Sequence, residues 1–484
     1  TGKNNHKIKS DLTIQKMTNA LVHRGPDSEG FWCDSQAEIM LGFRRLAILD
    51  TSTNGNQPMI SKSGKYAITF NGEIYNHLDL RKKIQIEDSC ISWISTSDTE
   101  TLLAGFELWG IEETIKKCIG MFSFAVWCNK SRVLTLGRDR LGEKPLYYGW
   151  QGEGEQRVFL FGSEIKSFLK HPGFSKEINR DAISTFLRYS YIPAPNSIYK
   201  GIFKLLPGRL LRVSMNDQNP RISKYWSASK FIRGDKKLIF HSDAEAADKL
   251  DYILQKSVKR QMIADVPLGA FLSGGIDSSL IVSMMQSQSL KKIRTFTIGF
   301  NQKEFNEAHH AKAIASHLQT DHSELYIDSS DLLDVIPNLP RIYDEPFADS
   351  SQIPTYLISQ FAKQDVTVAL SGDGGDELFG GYNRYQITNQ YWDKLKHVPV
   401  LIRKLLSAGI LSLSAKQIQS IYSLLGKNAN YLNFADKLYK GANVLPSKDI
   451  YSLYKGLTSA YIDPDSIVIN GNESNEFFES NYQK

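Results

Sequence analysis

The chain has 484 residues, 41% of them hydrophobic and 23% charged, which suits a globular protein of two or three domains. Its net charge of +6 arises from 58 basic and 52 acidic residues without a basic run, so no nucleic-acid partner is expected. No apolar stretch approaches a membrane span or a signal-peptide core, so no membrane partner is expected either. Four cysteines without metal-ligand spacing favour a reducing, cytoplasmic location, with two disulfides as the alternative.

The first part of the chain alternates short β-like runs with turn signals. The runs are 39–43, 66–70, 122–127 and 132–136, with helical patterns near 76–84 and 98–109. This rhythm predicts an α+β domain with antiparallel sheets over residues 1–190. Cys33 is expected to pack inside a strand of that domain. A stretch punctuated by proline and glycine then predicts a connector at 191–240.

From residue 241 long helices alternate with single strands. The predicted elements are a helix at 243–263, a strand at 266–272, a helix at 277–288, a strand at 294–300, a helix at 307–318 and a strand at 366–370. This alternation predicts an α/β doubly wound parallel sheet in a second domain, 241–484, whose part from residue 385 is mostly helical. Ligands of such sheets bind beyond the carboxyl ends of the strands, where two Ser-Gly loops follow.

The first of these loops is Ser273–Ser279, which follows an apolar strand and opens a helix. Its glycines allow a sharp turn and close approach of a ligand, and the free amides of a helix N-terminus attract anions. Asp277 takes a central place without a Walker-type lysine, and a carboxylate beside phosphates requires a divalent cation. The loop therefore predicts nucleotide phosphates with Mg²⁺. A plain helix cap by Asp277 or Ser278 is the alternative.

The second loop, Ser371–Gly381, contains five glycines and three carboxylates whose offsets do not fit an EF-hand. We expect Asp376 to share a metal with Asp277, and Asp373 to act as a base or to position the reacting amine. An ordinary acidic surface turn is the alternative. Upstream, Asp344 and Glu345 either line the same cleft or end a helix.

Polar motifs in the first domain suit recognition of a free amino acid. They are His23–Asp27, Arg44–Asp50, Asn71–Asn76 and Ser97–Glu100. An arginine pairs with an α-carboxylate, and Glu73 with Asp98 can bind the ammonium group. Asn71 and the amide of Gly72 can form an oxyanion hole for attack on a side-chain amide. Taken singly, each motif also fits a turn or a helix N-cap.

In order and spacing, these motifs resemble the glutamine-hydrolysing asparagine synthetase family over essentially the whole chain. The resemblance implies a glutaminase of the Ntn-hydrolase fold, an αββα sandwich, followed by a synthetase domain of the ATP pyrophosphatase type. It implies glutamine, ATP and a carboxylate acceptor as substrates, with Mg²⁺ as the metal. The acceptor, aspartate, would be activated as an acyl-adenylate and then attacked by ammonia.

The resemblance also assigns residues by position. Asn71, Gly72 and Asp373 would be catalytic, with the first two forming the oxyanion hole. Glutamine would be bound by Arg45, Leu46, Ala47, Ile48, Leu49, Asn71, Gly72, Glu73 and Asp98. ATP would be bound by Leu272, Ser273, Gly274, Gly275, Asp277, Ser278, Ile298, Ser371 and Gly372. Asp277 and Asp376 would hold the magnesium.

The chain departs from the family pattern at three points. Family members begin with a nucleophilic cysteine on a strand shortly before the segment that corresponds to His23–Asp27, and we expect such a strand to precede Thr1 in the native protein. The family's catalytic lysine has no counterpart before Lys484, so a C-terminal portion is also expected. Asp373 stands where asparagine-forming members often carry Glu, which leaves the acceptor open.

Two alternative functions remain. Asp373 and the stretch 344–349 are similar to relatives that amidate uronic acid sugars of surface polysaccharides. A non-catalytic or ammonia-only protein with an inactive glutaminase is the alternative of another class. A homodimer is expected only because dimers are the commonest soluble assembly.

Overall fold

The computed structural model describes residues 2–154, 157–214, 217, 219–232, 240–301, 306–424 and 434–473. The chain divides into two compact units. The first comprises Thr1–Asn179, Ala194–Glu345 and Ser350–Gly372, and the second comprises Arg180–Pro193, Pro346–Asp349 and Asp373–Lys484. Every strand described below lies in the first unit. No described helix combines the length and the apolar character needed to traverse a bilayer.

The N-terminal half contains three antiparallel sheets. The strands are β1 (Ser28–Asp34), β2 (Ile39–Arg45), β3 (Met59–Ile60), β4 (Tyr66–Ile74), β5 (Gly120–Cys128), β6 (Val133–Arg138), β7 (Tyr147–Gln151), β8 (Val158–Gly162), β9 (Phe203–Lys204), β10 (Arg209–Ser214) and β11 (Arg221–Lys224). The helices are α1 (Gly2–Asn19), α2 (His77–Glu87), α3 (Asp98–Leu108), α4 (Ile111–Lys117), α5 (Ile165–Phe168) and α6 (Arg180–Tyr189). The sheets have the orders β11-β10-β6-β5-β4-β3, β8-β7-β9 and β1-β2.

These elements form four layers. One face of the six-stranded sheet packs Phe70 and Phe124 against Phe106 of α3, in a cluster that also includes α2 and α4. Its other face packs Trp127 in a cluster with Tyr148 of the three-stranded sheet. Helices α1 and α5 contact β2 and β8 on the far side. This helix–sheet–sheet–helix arrangement confirms the predicted αββα sandwich.

Cys33 does not pack as expected. It lies on β1, where exposed and half-buried residues alternate, and its side chain is on the exposed face. Successive side chains of β1 point to opposite faces of the ribbon, so Trp32 packs toward the core while Phe31 and Cys33 lie on the other, exposed face. Cys118 and Cys128, by contrast, are buried in the cluster around α3.

The predicted connector at 191–240 contains three strands of these sheets. β9 pairs with β7, and β10 pairs with β6 so that Leu210 faces Gly137, while β11 forms the outer edge. The six-stranded sheet therefore continues beyond the predicted boundary at residue 190 and ends at Lys224. Prolines and glycines in this stretch mark the turns between the strands rather than a free linker.

The C-terminal half of the first unit is built around a parallel sheet. Its strands are β12 (Leu268–Phe271), β13 (Arg294–Phe300), β14 (Asp321–Ile327) and β15 (Val368–Leu370). Its helices are α7 (Ser229–Ile232), α8 (Asp243–Gln261), α9 (Ile276–Ser287), α10 (Ala308–Leu318), α11 (Ser329–Val335), α12 (Leu339–Ile342) and α13 (Gln352–Ala362). The strands pair in parallel in the order β14-β13-β12-β15.

Helices cover both faces of this sheet. Ala270 packs on one face with Val282 of α9 and Ala311 of α10, in a cluster that includes α8. Phe296 packs on the other face against Phe361 of α13, with ring centroids 5.8 Å apart. Because successive strand residues point to opposite faces, the short apolar strands serve both layers. The predicted doubly wound sheet is confirmed.

The second unit is helical throughout its described elements. Besides α6 they are α14 (Gly375–Phe379), α15 (Asn383–Leu395), α16 (Val400–Leu411), α17 (Ala415–Leu424), α18 (Phe434–Val444) and α19 (Ile450–Thr458). Helix α6 joins this unit through the buried guanidinium of Arg188, which pairs with Glu473 (Nη2–Oε2 2.6 Å) and donates to the carbonyl of Ile462 at 2.8 Å.

Candidate functional site

The predicted oxyanion residues lie at the end of β4. Gly72 faces Phe122 across the pair with β5, and a Cβ at residue 72 would overlap the carbonyl oxygen of Met121. Only glycine fits this close approach of two strands. The neighbouring Asn71 amide lies 3.5 Å from the Ser163 hydroxyl.

Asp139, which the sequence analysis missed, fixes the strand opposite Gly72. Its carboxylate is fully buried and accepts hydrogen bonds from five main-chain amides. The donors are Phe122 at 3.2 Å, Leu141 at 3.0 Å, Gly142 at 2.6 Å, Glu143 at 3.0 Å and Lys144 at 3.0 Å. An aspartate directly after a strand, with glycine three residues later, is a sequence signal for such a capped turn.

Glu73 and Asp98 form a buried acidic pair beside these residues. Asp98 begins α3 and its Oδ2 accepts the amide of Ile74 at 2.8 Å. Burial, and then the charge of Asp98, raise the pKa of Glu73 to about 7, against the opposing effect of Lys144. Burial also raises the pKa of Asp98 to about 6. In the described part of the chain Glu73 Oε1 has no hydrogen-bond partner, so the pair suits a cationic ligand group.

Arg45 shapes the loop that follows β2. Its guanidinium donates to the carbonyls of Leu49 (3.3 Å) and Ser52 (2.8 Å), to that of Asp50, and to Asn56 Oδ1 (3.1 Å). The loop begins with Leu46, Ala47, Ile48 and Leu49. The predicted pairing of Arg45 with an α-carboxylate stays a prediction, since the described contacts are with the loop itself.

Asp50 connects this loop to the start of α3. It is buried with a positive φ of 56°, and its Oδ2 accepts the amide of Thr96 at 2.8 Å, two residues before Asp98. Ala47 in turn donates its amide to Asp27 at 2.8 Å. The structure thus brings the loop after Arg45, the end of β4 and Asp98 to one place. The sequence analysis named these segments, with Asp50 as the end of one motif, but gave Asp50 no role, since no local pattern reveals its backbone conformation.

The acidic pair Asp344–Glu345 is fully engaged with the N-terminal half. Lys166 binds Asp344 through its main-chain amide at 2.9 Å and its ammonium group at 3.3 Å. Glu345 accepts from the Tyr147 hydroxyl at 3.0 Å, the Ile198 amide at 2.8 Å and the Lys204 ammonium at 2.6 Å. Helix α12 ends at Ile342, just before the pair. Of the two alternatives, these observations favour the helix end, with carboxylates committed to structure.

Lys166 also belongs to an ion-pair cluster around Glu164. The carboxylate accepts from His23 at 2.9 Å, Arg24 at 2.8 Å and Lys166 at 2.8 Å. Burial alone would raise the pKa of Glu164, but the hydrogen bonds from Lys166 and Arg24 outweigh it and lower that pKa. The first polar motif of the chain, His23–Asp27, is therefore engaged within the N-terminal half through Glu164 and Ala47.

The loop after β12 is a closed turn at the start of α9. The hydroxyls of Ser273 and Ser278 lie 2.9 Å apart, and the amide of Gly275 donates to Ser273 Oγ at 3.2 Å. Gly274 has a φ of +83°, and a Cβ there would lie 2.8 Å from the amide nitrogen of Ala311. Only glycine satisfies both conditions. The turn presents the N-terminus of a twelve-residue helix to solvent.

The loop after β15 packs directly onto this turn. A Cβ at Gly372 would lie 2.7 Å from the amide nitrogen of Ser278 and 2.8 Å from the carbonyl carbon of Asp277. Strand order reverses between β12 and β15, and this switch point is where open α/β sheets bind ligands. Ser371 precedes Gly372, so the structure brings the two predicted Ser-Gly loops together.

Two apolar positions assigned to ATP flank the same sheet edge. Leu272 is buried and donates its amide to the carbonyl of Phe296 at 2.9 Å. Ile298 lies two residues farther along β13 and is half-buried, paired with Leu325 of β14. Leu272 packs with Ala270 on one face of the sheet, whereas Ile298 shares the opposite face with Phe296, so a common role at the nucleotide stays a prediction.

The remaining assigned residues, Asp373 and Asp376, belong to the second compact unit. Asp376 lies in the first turn of α14, between two glycines with positive φ, Gly374 and Gly380. The predicted sharing of a magnesium ion by Asp277 and Asp376 stays a prediction. Within the described ranges no three acidic, histidine or cysteine side chains form a ready metal cage. Single carboxylates nevertheless fit Mg²⁺, which usually takes one or two of them together with water and substrate phosphates.

The raised pKa of Glu73 predicts how stability depends on pH. Between its ordinary pKa of 4.5 and about 7, folded Glu73 keeps a proton that the unfolded chain has lost. The free energy of unfolding therefore falls as pH rises through this window. In Glu73→Gln this fall should be absent. The difference in free energy of unfolding between the variant and the parent should therefore shift in favour of the variant as pH rises, by at most about 3 kcal/mol at pH 7. Urea unfolding from pH 4 to 8 tests this, and parallel profiles would contradict it.

The packing of Gly372 predicts a local effect on nucleotide binding. Gly372→Ala inserts a methyl group between the two loops, and overpacking of this kind costs about 1–3 kcal/mol. We expect the affinity for ATP to fall about fivefold to a hundredfold, measured by titration calorimetry. Gly409→Ala is the matched control, because among the described residues no atom outside its own stretch of α16 lies within 4 Å of a Cβ at that position. Equal ATP affinities for the two variants would show that the loops do not need this contact.

Known families match both halves of the chain. A family model described as a glutamine amidotransferase domain matches residues 1–226, and one described as asparagine synthase matches residues 249–453. A solved structure of glutamine phosphoribosylpyrophosphate amidotransferase from B. subtilis matches 70% of this chain and 91% of its own, at 14% identity. Its TM-score of 0.34 is too low to support structural equivalence.

Curated relatives are more similar. A glutamine-hydrolysing asparagine synthetase 2 of Methanocaldococcus jannaschii is 38% identical over 411 residues, covering 81% of this chain and 76% of the relative. Asparagine synthetase 1 of Bacillus subtilis is 37% identical over 374 residues, covering 77% of this chain but only 56% of the relative. The chain thus spans between about half and three quarters of the length of these relatives. On this similarity, the chain belongs to the family of glutamine-hydrolysing asparagine synthetases, ligases that carry a glutamine amidotransferase domain.

Proposed function

We propose that this protein amidates a carboxylate with ammonia taken from glutamine, driven by cleavage of ATP to AMP and pyrophosphate, and that aspartate is the acceptor. The observation that carries the proposal is the contact of two glycine loops at a switch point, where Gly372 lies against Asp277 and Ser278. The same compact unit holds Glu73, whose buried Oε1 lacks a partner among the described residues. A nucleotide site and an amino-acid site in one chain are what glutamine-dependent ligation requires.

In the N-terminal half, we assign the substrate glutamine to the end of β4 and the loop after β2. Glu73 and Asp98 bind the ammonium group, and a bound cation favours their ionised forms despite their burial. Arg45 and residues 46–49 bind the α-carboxylate. Asn71 and the amide of Gly72 stabilise the negative charge that develops on the side-chain carbonyl oxygen when it is attacked.

In the C-terminal half, we assign the ATP phosphates to the N-terminus of α9, where Ser273, Gly275 and Ile276 are exposed. The acceptor carboxylate attacks the α-phosphorus, so that pyrophosphate leaves and an acyl-adenylate forms. Ammonia then attacks the acyl carbon and AMP leaves, with Asp373 positioning the incoming amine. Magnesium held by Asp277 and Asp376 would neutralise charge on the phosphates.

Aspartate is favoured over a sugar acid by two considerations. The relatives are described as asparagine synthetases. The stretch around Asp344 and Glu345 is one of the two features that suggest a uronic acid, yet both carboxylates are bound by residues such as Lys166 and Lys204. The remaining feature in favour of a uronic acid is Asp373, whose side chain is one methylene shorter than that of glutamate. Cytoplasmic location and homodimerisation stay predictions.

The acceptor is tested by AMP release from the full-length native protein. We expect turnover with glutamine, ATP and aspartate, and none when aspartate is replaced by a panel of uronic acids. If AMP is released with a uronic acid as acceptor and not with aspartate, the proposed acceptor is wrong and the protein amidates a sugar acid. Binding of ATP without AMP release under any of these conditions would support a non-catalytic relative.

Asp277→Ala separates the two half-reactions. Because Asp277 is proposed to act only at the phosphates, we expect pyrophosphate release to be lost while glutamine hydrolysis remains largely intact. Ser279→Ala is a milder comparison, since its hydroxyl donates to Gly275 O at 2.6 Å within the turn. If both activities fell together in well-folded Asp277→Ala protein, the assignment of separate roles would be wrong.

A further inference from the structure

Asp265 contacts the glutamine loop from the other half of the chain. Its main-chain amide donates to the carbonyl of Ile48 at 3.0 Å, and its Oδ2 accepts the amide of Asp50 at 2.8 Å. Two hydrogen bonds to one loop, one from main chain and one from side chain, fix both the distance and the orientation of residues 48–50. Asp265 is not among the residues that the family resemblance assigns to glutamine binding.

Asp265 is itself held by the parallel sheet. Pro267, two residues later, accepts the amides of Thr367 at 3.0 Å and Val368 at 3.3 Å through its carbonyl oxygen. β12 begins at the next residue, Leu268. The segment that contacts the glutamine loop is therefore tied to the amino ends of β12 and β15, the strands that lead to the two nucleotide loops. A short, doubly anchored segment is a rigid support for a loop.

The loop that Asp265 supports has little other structure. It contains only a single 3₁₀ turn, Thr53–Gly55, and otherwise depends on side chains for its shape. Arg45 binds its carbonyls from one side, and the carboxylate of Asp50 binds the amide of Thr96 on the way to Asp98. The main-chain amide of Asp50 takes part in neither contact and donates to Asp265 instead.

We propose that Asp265 is a positioning residue for glutamine, supplied by the synthetase half to complete the pocket of the glutaminase half. It touches no substrate and acts through Asp50 and Ile48. The inference rests on the proposed function in that it takes residues 45–50 to bind glutamine.

The test uses Asp265→Ala and Asp265→Asn in the full-length protein. Loss of one hydrogen bond that orders the loop should raise the KM for glutamine about fivefold in Asp265→Ala. The kcat with ammonia in place of glutamine should stay unchanged, because the sheet and its loops are intact. Asp265→Asn should restore the KM, since its amide oxygen can accept the same hydrogen bond from Asp50.

Arg260→Ala is the matched control. Arg260 also bridges the halves, through an ion pair with Asp79 of α2 at 2.9 Å, but it does not contact the loop. It should leave the KM for glutamine unchanged. An unchanged KM in Asp265→Ala, or an equal loss of glutamine- and ammonia-dependent rates, would overturn the role of Asp265.

Hydrogen exchange and direct binding separate this inference from the proposed function. In Asp265→Ala the amide of Asp50 should exchange faster than in the parent, and glutamine affinity by calorimetry should fall by the same factor as the KM rises. Neither measurement depends on AMP release. A parent protein that releases no AMP would therefore contradict the proposed ligation, while the role of Asp265 is still decided by exchange and glutamine binding. Unaltered exchange at Asp50, or a parent that binds no glutamine, would overturn the inference.

Discussion

The parallel pairing of β12 with β13 on one side and β15 on the other determines where chemistry can occur in this fold. Ala270 faces Thr295 in one pair and Leu370 in the other, so the loops after β12 and β15 leave the sheet side by side. Had β15 continued the sheet beyond β14, its loop would begin three strand spacings, about 14 Å, from the turn at Ser273. The contact of Gly372 with that turn, and with it any shared nucleotide site, depends on this reversal of strand order.

Local sequence patterns predicted the elements of the fold well where a pattern carries the information. The strand at 294–300 is predicted with its exact bounds, and α2 and α3 within a few residues, because apolar periodicity is a local property. Partners distant in sequence were not predictable in this way. The pairing of Leu210 with Gly137, and the contact of Asp265 with Asp50, depend on tertiary arrangement. The site segments were found because motifs follow strand ends. Asp139, which shapes one of them, was not found, and Asp50 was named only as the end of a motif, without its role.

Three carboxylates of this protein differ in the number of hydrogen-bond donors that surround them, and this number distinguishes their roles. Asp139 receives five main-chain amides and is satisfied by the fold alone. Glu345 accepts from an amide, a hydroxyl and an ammonium group, so both of its oxygens have partners within the protein. Glu73 is also buried but keeps an oxygen without a partner in the described part of the chain, and the electrostatic cost appears as a raised pKa. Sequence shows which residues can be charged, and only the count of donors separates a structural carboxylate from one that is ready for a ligand.

Helix α6 belongs to the second unit, although the residues before and after it in sequence belong to the first. This has a consequence for folding during synthesis. Arg188 must bury its guanidinium against Glu473, which is 285 residues farther along the chain. Ribosomes add about 5–20 residues per second, so Glu473 is made roughly 15 to 60 seconds after Arg188. During this interval the sandwich on its N-terminal side is complete except for the strands that end at Lys224, while α6 presents an unpaired cation and an apolar face. Until residue 473 has been made, α6 therefore lacks the partner that holds it in the second unit.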